Sequence, residues 1–226
     1  MYKLYIANKN YSSWSLRAWL LMRELGLTFE EEIFPFTEDS WEVYKKRCPG
    51  GLVPWLQDGD REIWDTLAIT EYLAERHTGV WPGDESVRAW ARSAAAEMHS
   101  GFATLRNQCP MSCGVRIKLK EITEALQNDL QRINGLWTEG LERFGGPFLA
   151  GEKFTAVDAF FAPVVFRIRS YALPVQDKSA TYVKYLLALE SMREWDAAAL
   201  NETWREPQHE KEMTLHGVLQ QDLRNT

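Results

Sequence analysis

The sequence of 226 residues has little cysteine and little histidine, three and four residues respectively. Cys48, Cys109 and Cys113 are odd in number and show no C-x-x-C spacing, which argues against a secreted disulfide framework and against a dithiol redox centre. The histidines form no H-E-x-x-H pair and do not alternate with cysteine, so no metal is expected. Basic charge is not in surplus. Twenty-six Lys and Arg stand against 32 Asp and Glu, for a net charge of −6, and the basic residues are scattered, so no nucleic-acid partner is expected. No stretch approaches the roughly 18 uncharged apolar residues of a membrane span. Met1 to Asn8 carries Lys3 and lacks a small-residue cleavage site. A soluble cytoplasmic protein with no membrane partner is the expectation.

What is present is ordinary globular material, 45% hydrophobic and 26% charged. A chain of this mass is expected to keep a folded surface of about 10,600 Å², which buries roughly 72% of the extended chain's surface and needs no staples. Ten tryptophans accompany eight tyrosines and ten phenylalanines, enough for a large aromatic core or an aromatic-lined pocket.

The first eighty residues alternate strand and helix patterns. Tyr2 to Ala7 reads as a strand, Ser13 to Leu25 as a helix stopped by Gly26, and Phe29 to Phe34 as a second strand ending at Pro35. A helical piece follows around Trp41 to Lys46. Two short strands, Val53 to Gln57 and Glu62 to Trp64, flank the turn signal Asp58-Gly59-Asp60, and Thr66 to His77 is helical. The sum is β-α-β-α-β-β-α. After Pro82-Gly83 the pattern reads as helix after helix, over about residues 85–108, 117–144, 155–170, 180–190 and 192–204. This change places a domain boundary near 79–86, giving domains at 1–80 and 86–205 and a polar tail at 206–226 that is expected to be partly mobile.

Four segments carry chemistry or punctuation. Ser12, Ser13 and Ser15 crowd the start of the first helix, where free N–H groups and the positive dipole end collect; one serine suffices for capping, and three exceed that need. No glycine-rich phosphate loop accompanies them, which argues against a nucleotide site. Val53-Pro54 opens a strand, and a cis bond there would turn the Val53 backbone outward to pair with another peptide. Asp65 and Thr66 open a helix as cap residues, or meet a ligand's ammonium and carboxylate. Thr155 and Asp158 read as a capping box, which serves folding, and Pro163 falls inside the same helix.

Taken in order, these segments resemble the cytosolic glutathione transferases of serine type. Ser12-Ser13-Trp14-Ser15-Leu16-Arg17 is similar to the S-S-C-x-x-R and S-P-F-x-x-R patterns of the zeta and tau enzymes. Pro49-Gly50-Gly51-Leu52-Val53-Pro54 is similar to P-x-G-x-V-P, Asp65-Thr66-Leu67-Ala68-Ile69 to E/Q/D-S-x-A-I, and Phe154 to Asp158 to the family's helix-6 capping box. The resemblance covers residues 1–205 and implies a thioredoxin-like α/β domain followed by an all-helical domain. It further implies a homodimer of a bacterial-type member.

Carried over by position, the resemblance makes Ser12 the hydroxyl that contacts the sulfur of glutathione, a co-substrate, with Ser13 as the fallback. The Val53 main chain, placed by Pro54, would pair with the cysteinyl peptide, and Asp65 with Thr66 would hold the γ-glutamyl end. Tyr11, Trp14 and Arg106 would line the acceptor pocket, while Arg17 would orient local structure. The implied reaction adds the glutathione thiol to a small-molecule electrophile, as in detoxification. The alternatives are a zeta-type glutathione-dependent isomerase or peroxidase, and a non-catalytic binding or interaction protein on the same scaffold. Two departures from the pattern bear on this: Trp14 stands where zeta enzymes have cysteine, and Leu52 where many members have lysine or glutamine. No cysteine lies between residues 11 and 15, against the thiol-exchange types.

Overall fold

Alternating apolar residues in Tyr2–Ile6 (β1) suit it to one of the two inner strands of a four-stranded sheet. The computed structural model describes residues 1–48 and 50–225, and for residues 38–41 the backbone alone. Pro49, the first residue of the Pro-Gly-Gly segment, lies outside the described residues. β1 is followed by α1 (Ser13–Glu24), β2 (Phe29–Ile33), α2 (Glu38–Arg47), β3 (Trp55–Asp58), β4 (Arg61–Ile63) and α3 (Thr66–Ala74). The sheet order is β2-β1-β3-β4, with β1 parallel to β2 and antiparallel to β3, and β3 antiparallel to β4. Gly26 ends α1 with a positive φ of 66°, and Gly59 turns the β3–β4 hairpin at 60°. The Val53–Pro54 bond is cis. Both residues precede β3 rather than belonging to it, because proline has no N–H for the ladder.

The second half contains α4 (Glu85–Ser100), α5 (Ala103–Gln108), β5 (Val115–Leu119), α6 (Glu124–Phe144), α7 (Ala156–Tyr171), α8 (Asp177–Ala188), α9 (Glu190–Asn201), α10 (Pro207–Leu215) and β6 (Gly217–Asp222). α7 is buried over nearly its whole length and continues through Pro163. It starts at the expected capping box: Asp158 accepts from the Thr155 N–H at 3.0 Å, and also from the Leu149 N–H and the Tyr182 hydroxyl. α1 lies between the sheet and α7, so Ser15 through Met22 are all buried and one apolar core runs through both halves. The accessible surface is 10645 Å², as expected for a single compact chain of this size. Among the described residues, no helix is long and apolar enough to cross a membrane.

Three expectations for the second half need correction. The helix expected over 85–108 breaks at Gly101 and Phe102, where Phe102 takes a left-handed φ of 59°. The helix expected from 117 begins at Glu124, because Val115-Arg116-Ile117-Lys118-Leu119 alternates with period two and pairs as a strand. Its partner is β6, about a hundred residues later, so the second half is helical but for one two-stranded sheet. The tail is not loose chain: it forms α10 and β6, and Arg224 within it is buried.

Candidate active site

The sheet's strand directions bring the separated motifs to one edge. Tyr5 of β1 faces Trp55 of β3, and Leu56 of β3 faces Ile63 of β4. The loop leaving β1, the segment entering β3 and the turn leaving β4 therefore share one end of the sheet, with Val53 between the other two. That end carries Ser12, Val53 and Asp65.

The loop from Ala7 to Ser12 is held from the second half of the chain. The Glu202 carboxylate accepts the Lys9 and Asn10 N–H groups at 2.6 and 3.0 Å, and the Trp195 indole donates to the Lys9 carbonyl at 3.0 Å. The Asn10 side-chain oxygen accepts from Ser112 and from the Gly114 N–H. The Lys9 ammonium pairs with Glu31 at 2.7 Å and lies over the Trp19 and Trp195 rings.

Ser12 is the N-cap of α1 and is 5% exposed. Its oxygen accepts the Ser15 N–H at 3.3 Å and lies 2.7 Å from the Ser15 oxygen, which itself accepts the Ala7 N–H at 3.2 Å. Capping and chemistry are compatible here. In this arrangement the Ser12 hydroxyl donates to the Ser15 oxygen; a hydroxyl has one donor and two acceptor sites, so when the Ser12 proton turns to an incoming anion, Ser15 can donate to Ser12 in exchange and still accept from Ala7. Ser13, in the first turn, is half-buried.

The Val53 main chain makes no hydrogen bond to described residues. The loop before it is shaped from below: the Tyr44 hydroxyl and the Cys48 thiol both donate to the Leu52 carbonyl, at 2.5 and 3.3 Å. Gly51 has a φ of 62°, and a Cβ on Gly50 would stand 2.6 Å from the Trp64 ring. Leu52 is exposed.

Asp65 caps α3 by accepting the Leu67 N–H at 3.0 Å, and its other oxygen lies 3.3 Å from His99 Nε2. Its side chain is 53% exposed. The Thr66 hydroxyl is buried without a partner, so what this residue presents at the helix start is its backbone N–H.

Trp14 is brought to the same place. His99 meets it edge-on at 5.2 Å, and the guanidinium carbons of Arg17 and Arg106 lie 4.3 and 4.9 Å from its ring centroid. Arg106 also donates to the Met98 and His99 carbonyls at the end of α4. Burial lowers the pKa of His99, Asp65 opposes that shift, and Arg17 with Arg106 reinforces it.

Tyr11 is directed elsewhere. Its hydroxyl donates to Glu210 and accepts from Arg224 at 3.2 Å, and its ring stacks on His209, which also stacks on Phe36. Burial, then the bond to Glu210, raises its pKa. Tyr11 thus closes α10 and β6 against the β1–α1 loop, and its hydroxyl is fully engaged. Glu202, His209, Glu210 and Arg224 have no signal in the sequence, since the β1–α1 loop and Phe36 that they meet lie about 170 to 210 residues away. Arg17 and Arg167 did leave one: each is a charge flanked by apolar residues, Leu16 and Ala18 for Arg17 and Phe166 and Ile168 for Arg167.

Residues 11–76 match the family model for the glutathione S-transferase N-terminal domain, and residues 88–205 match that for the C-terminal domain. Among known proteins, the chain is 25% identical over 203 residues to the glutathione S-transferase-like protein OpS6 of Beauveria bassiana, covering 85% of this chain and 90% of that one. It is 26% identical over 179 residues to glutathione S-transferase DHAR2 of Arabidopsis thaliana, covering 73% and 78%. A glutathione transferase homolog from Burkholderia GL BGR1, solved with bound glutathione, superposes with a TM-score of 0.67 at 23% identity, over 88% of this chain and 97% of that one. At that identity the likeness speaks to fold.

Proposed function

We propose, since the chain belongs to the glutathione S-transferase family, that it binds reduced glutathione along the sheet edge described above and transfers its sulfur to a small electrophile. The carrying observation is the convergence at that edge of two helix N-termini, capped by Ser12 and Asp65, on either side of the Val53 main chain, which has no hydrogen-bond partner among the described residues. In this reading Val53 pairs with the cysteinyl peptide in strand fashion. Asp65 takes the glutamyl ammonium, and the first N–H groups of α3 take the adjacent carboxylate.

Ser12 is the group that acts on the sulfur, as a hydrogen-bond donor to the thiolate. Lowering a thiol pKa from about 8.5 to about 6.5 requires roughly 2.7 kcal/mol of preference for the anion. A hydroxyl donating to an anion contributes about 1.5–3 kcal/mol, and a helix N-terminus up to about 2. The two suffice together. The thiolate then attacks the electrophile, and the leaving group departs with its electron pair. The missing cysteine between residues 11 and 15 supports conjugation over thiol exchange. The same reading includes a homodimer, which light scattering tests.

The test is titration with reduced glutathione, following tryptophan fluorescence and thiolate absorbance against pH. Ser12→Ala is expected to return the bound thiol toward its free pKa and to lower kcat/KM about 10- to 100-fold at neutral pH. Unchanged rates in both Ser12→Ala and Ser13→Ala overturn the role given to the serines, and absence of both glutathione binding and a lowered thiol pKa overturns the reading in favour of an interaction protein.

A further inference from the structure

The positive charge around Trp14 has no role in the chemistry above. Arg17 is 2% exposed and Arg167 is 4% exposed. Nε and Nη1 of Arg17, Nε of Arg106, Nη1 of Arg167 and Nδ1 of His99 are all buried without a hydrogen-bond partner. The contacts Arg106 and Arg167 do make are with neutral carbonyls, those of Met98 and His99 for Arg106 and that of Cys109 for Arg167. Among the described residues, none of the three arginines forms an ion pair. Asp65 acts on Arg17, and Asp129 on Arg106, only at longer range.

Such an arrangement is costly. A buried guanidinium without an acceptor forfeits its hydration, and several together repel. Burial first, then Arg106 and Arg167, pushes the Arg17 pKa well down; burial, then Arg106, brings Arg167 to about 10. Contact with the Trp14 and Phe160 rings offsets part of the charge but satisfies no N–H. Orphaned guanidinium donors, those of Arg17 and Arg106 lying on one aromatic ring, match an acceptor that arrives with a ligand.

The geometry points to a carboxylate-binding subsite at Trp14, in which Arg17 and Arg106 hold a ligand's carboxylate against the indole while Arg167 adds positive potential from behind. The planar guanidinium fork matches a carboxylate in shape and charge. Asp65 is exposed, and Trp14, His99 and Arg106 are half-buried, so the subsite opens toward the start of α3. This inference rests on the glutathione transferase reading. Two sources bring that chemistry there: the glutamyl carboxylate of glutathione, which the first N–H groups of α3 would then share with the arginines, or a carboxylate on the electrophile.

Arg106→Gln separates them. The probes are 4-chloro-3-nitrobenzoate against its neutral amide, and glutathione against the analogue lacking the glutamyl α-carboxylate. If the electrophile supplies the carboxylate, the acid-to-amide ratio of kcat/KM falls about tenfold or more in Arg106→Gln and recovers partly in Arg106→Lys. If glutathione supplies it, the preference for glutathione over the analogue falls by a similar factor, measured as a ratio of Kd values. A change of less than about twofold in both ratios overturns the subsite and leaves the arginines as interdomain packing. Arg17→Lys is the second variant; should it fail to fold by circular dichroism, Arg106→Gln decides alone. If the protein neither turns over nor binds glutathione, the functional reading has failed. Calorimetric binding of the acid against the amide, with and without Arg106→Gln, then decides the subsite separately.

Discussion

Replacing Glu202 by glutamine removes the charge that fixes the β1–α1 loop while keeping the side chain's shape. The wild-type carboxylate is 6% exposed and accepts two main-chain N–H groups, from Lys9 at 2.6 Å and Asn10 at 3.0 Å, across more than 190 residues of chain. Glutamine offers one oxygen to two donors and turns its NH2 toward the other. One charge-assisted bond is lost, worth about 1.5–3 kcal/mol, and the surviving bond falls to roughly half its strength. Relief from burying a charge returns part of this. Burial raises the Glu202 pKa, and the two N–H groups oppose that shift. The expected net loss is about 3 kcal/mol, which for a chain of this size lowers Tm by about 6–12 °C. Thermal and urea unfolding by circular dichroism measure it, and amide exchange at Lys9 and Asn10 localises it. A Tm shift below about 2 °C, or undiminished protection of those two amides, would refute the reasoning.

Three further outcomes are expected. Burial raises the Asp158 carboxyl to about 6, its hydrogen bonds opposing that shift, while the unfolded chain titrates it near the ordinary aspartate value of about 3.9. Between about pH 4 and 6 the native state therefore holds a proton that the unfolded state has lost, so this group's contribution falls by about 3 kcal/mol as pH rises; urea unfolding across that window should show a slope that Asp158→Asn lacks. Gly51→Ala meets no steric obstacle but places a side chain at a φ of 62°, which costs about 1–2 kcal/mol and should weaken glutathione binding at the Val53 loop, with Gly51→Asn recovering part. Ser15→Ala removes the hydroxyl 2.7 Å from Ser12; a positioning role raises the bound thiol pKa as well as lowering stability, whereas a purely structural role moves stability alone.

The locally encoded parts of the fold were legible. Gly26, Gly59 and the Thr155/Asp158 box punctuate where their conformational preferences require, and hydrophobic period located α1, α3 and α7 to within a few residues. Ser12 and Asp65 could be singled out because a cap residue is recognised by its immediate neighbours. Val115–Leu119 overlaps the helix expected over 117–144 although its alternation is plain, because a lone strand amid helical patterns suggests no partner. β6, which pairs with it, is separated by about a hundred residues. Closeness to Ser12 in sequence suggests an acceptor-pocket place for Tyr11, while Glu210 and Arg224 direct its hydroxyl to the C-terminal segment.

The sequence by itself determined the order of elements in the first half, the caps that begin α1, α3 and α7, and the residue types offered to a thiol and a peptide, because each depends on contacts within a few residues. Only the tertiary structure decided that the second half grips the Ser12 loop through Glu202 and Trp195, and that Tyr11 is sealed under α10. It alone gathered Arg17 and Arg106 over one tryptophan, with Arg167 close enough to act on the charge of Arg17 and with several of their N–H groups left without an acceptor among the described residues. Such contacts join segments as much as two hundred residues apart. Their energies come from burial and charge in a shared interior, and no local pattern in the chain records which distant groups will share it.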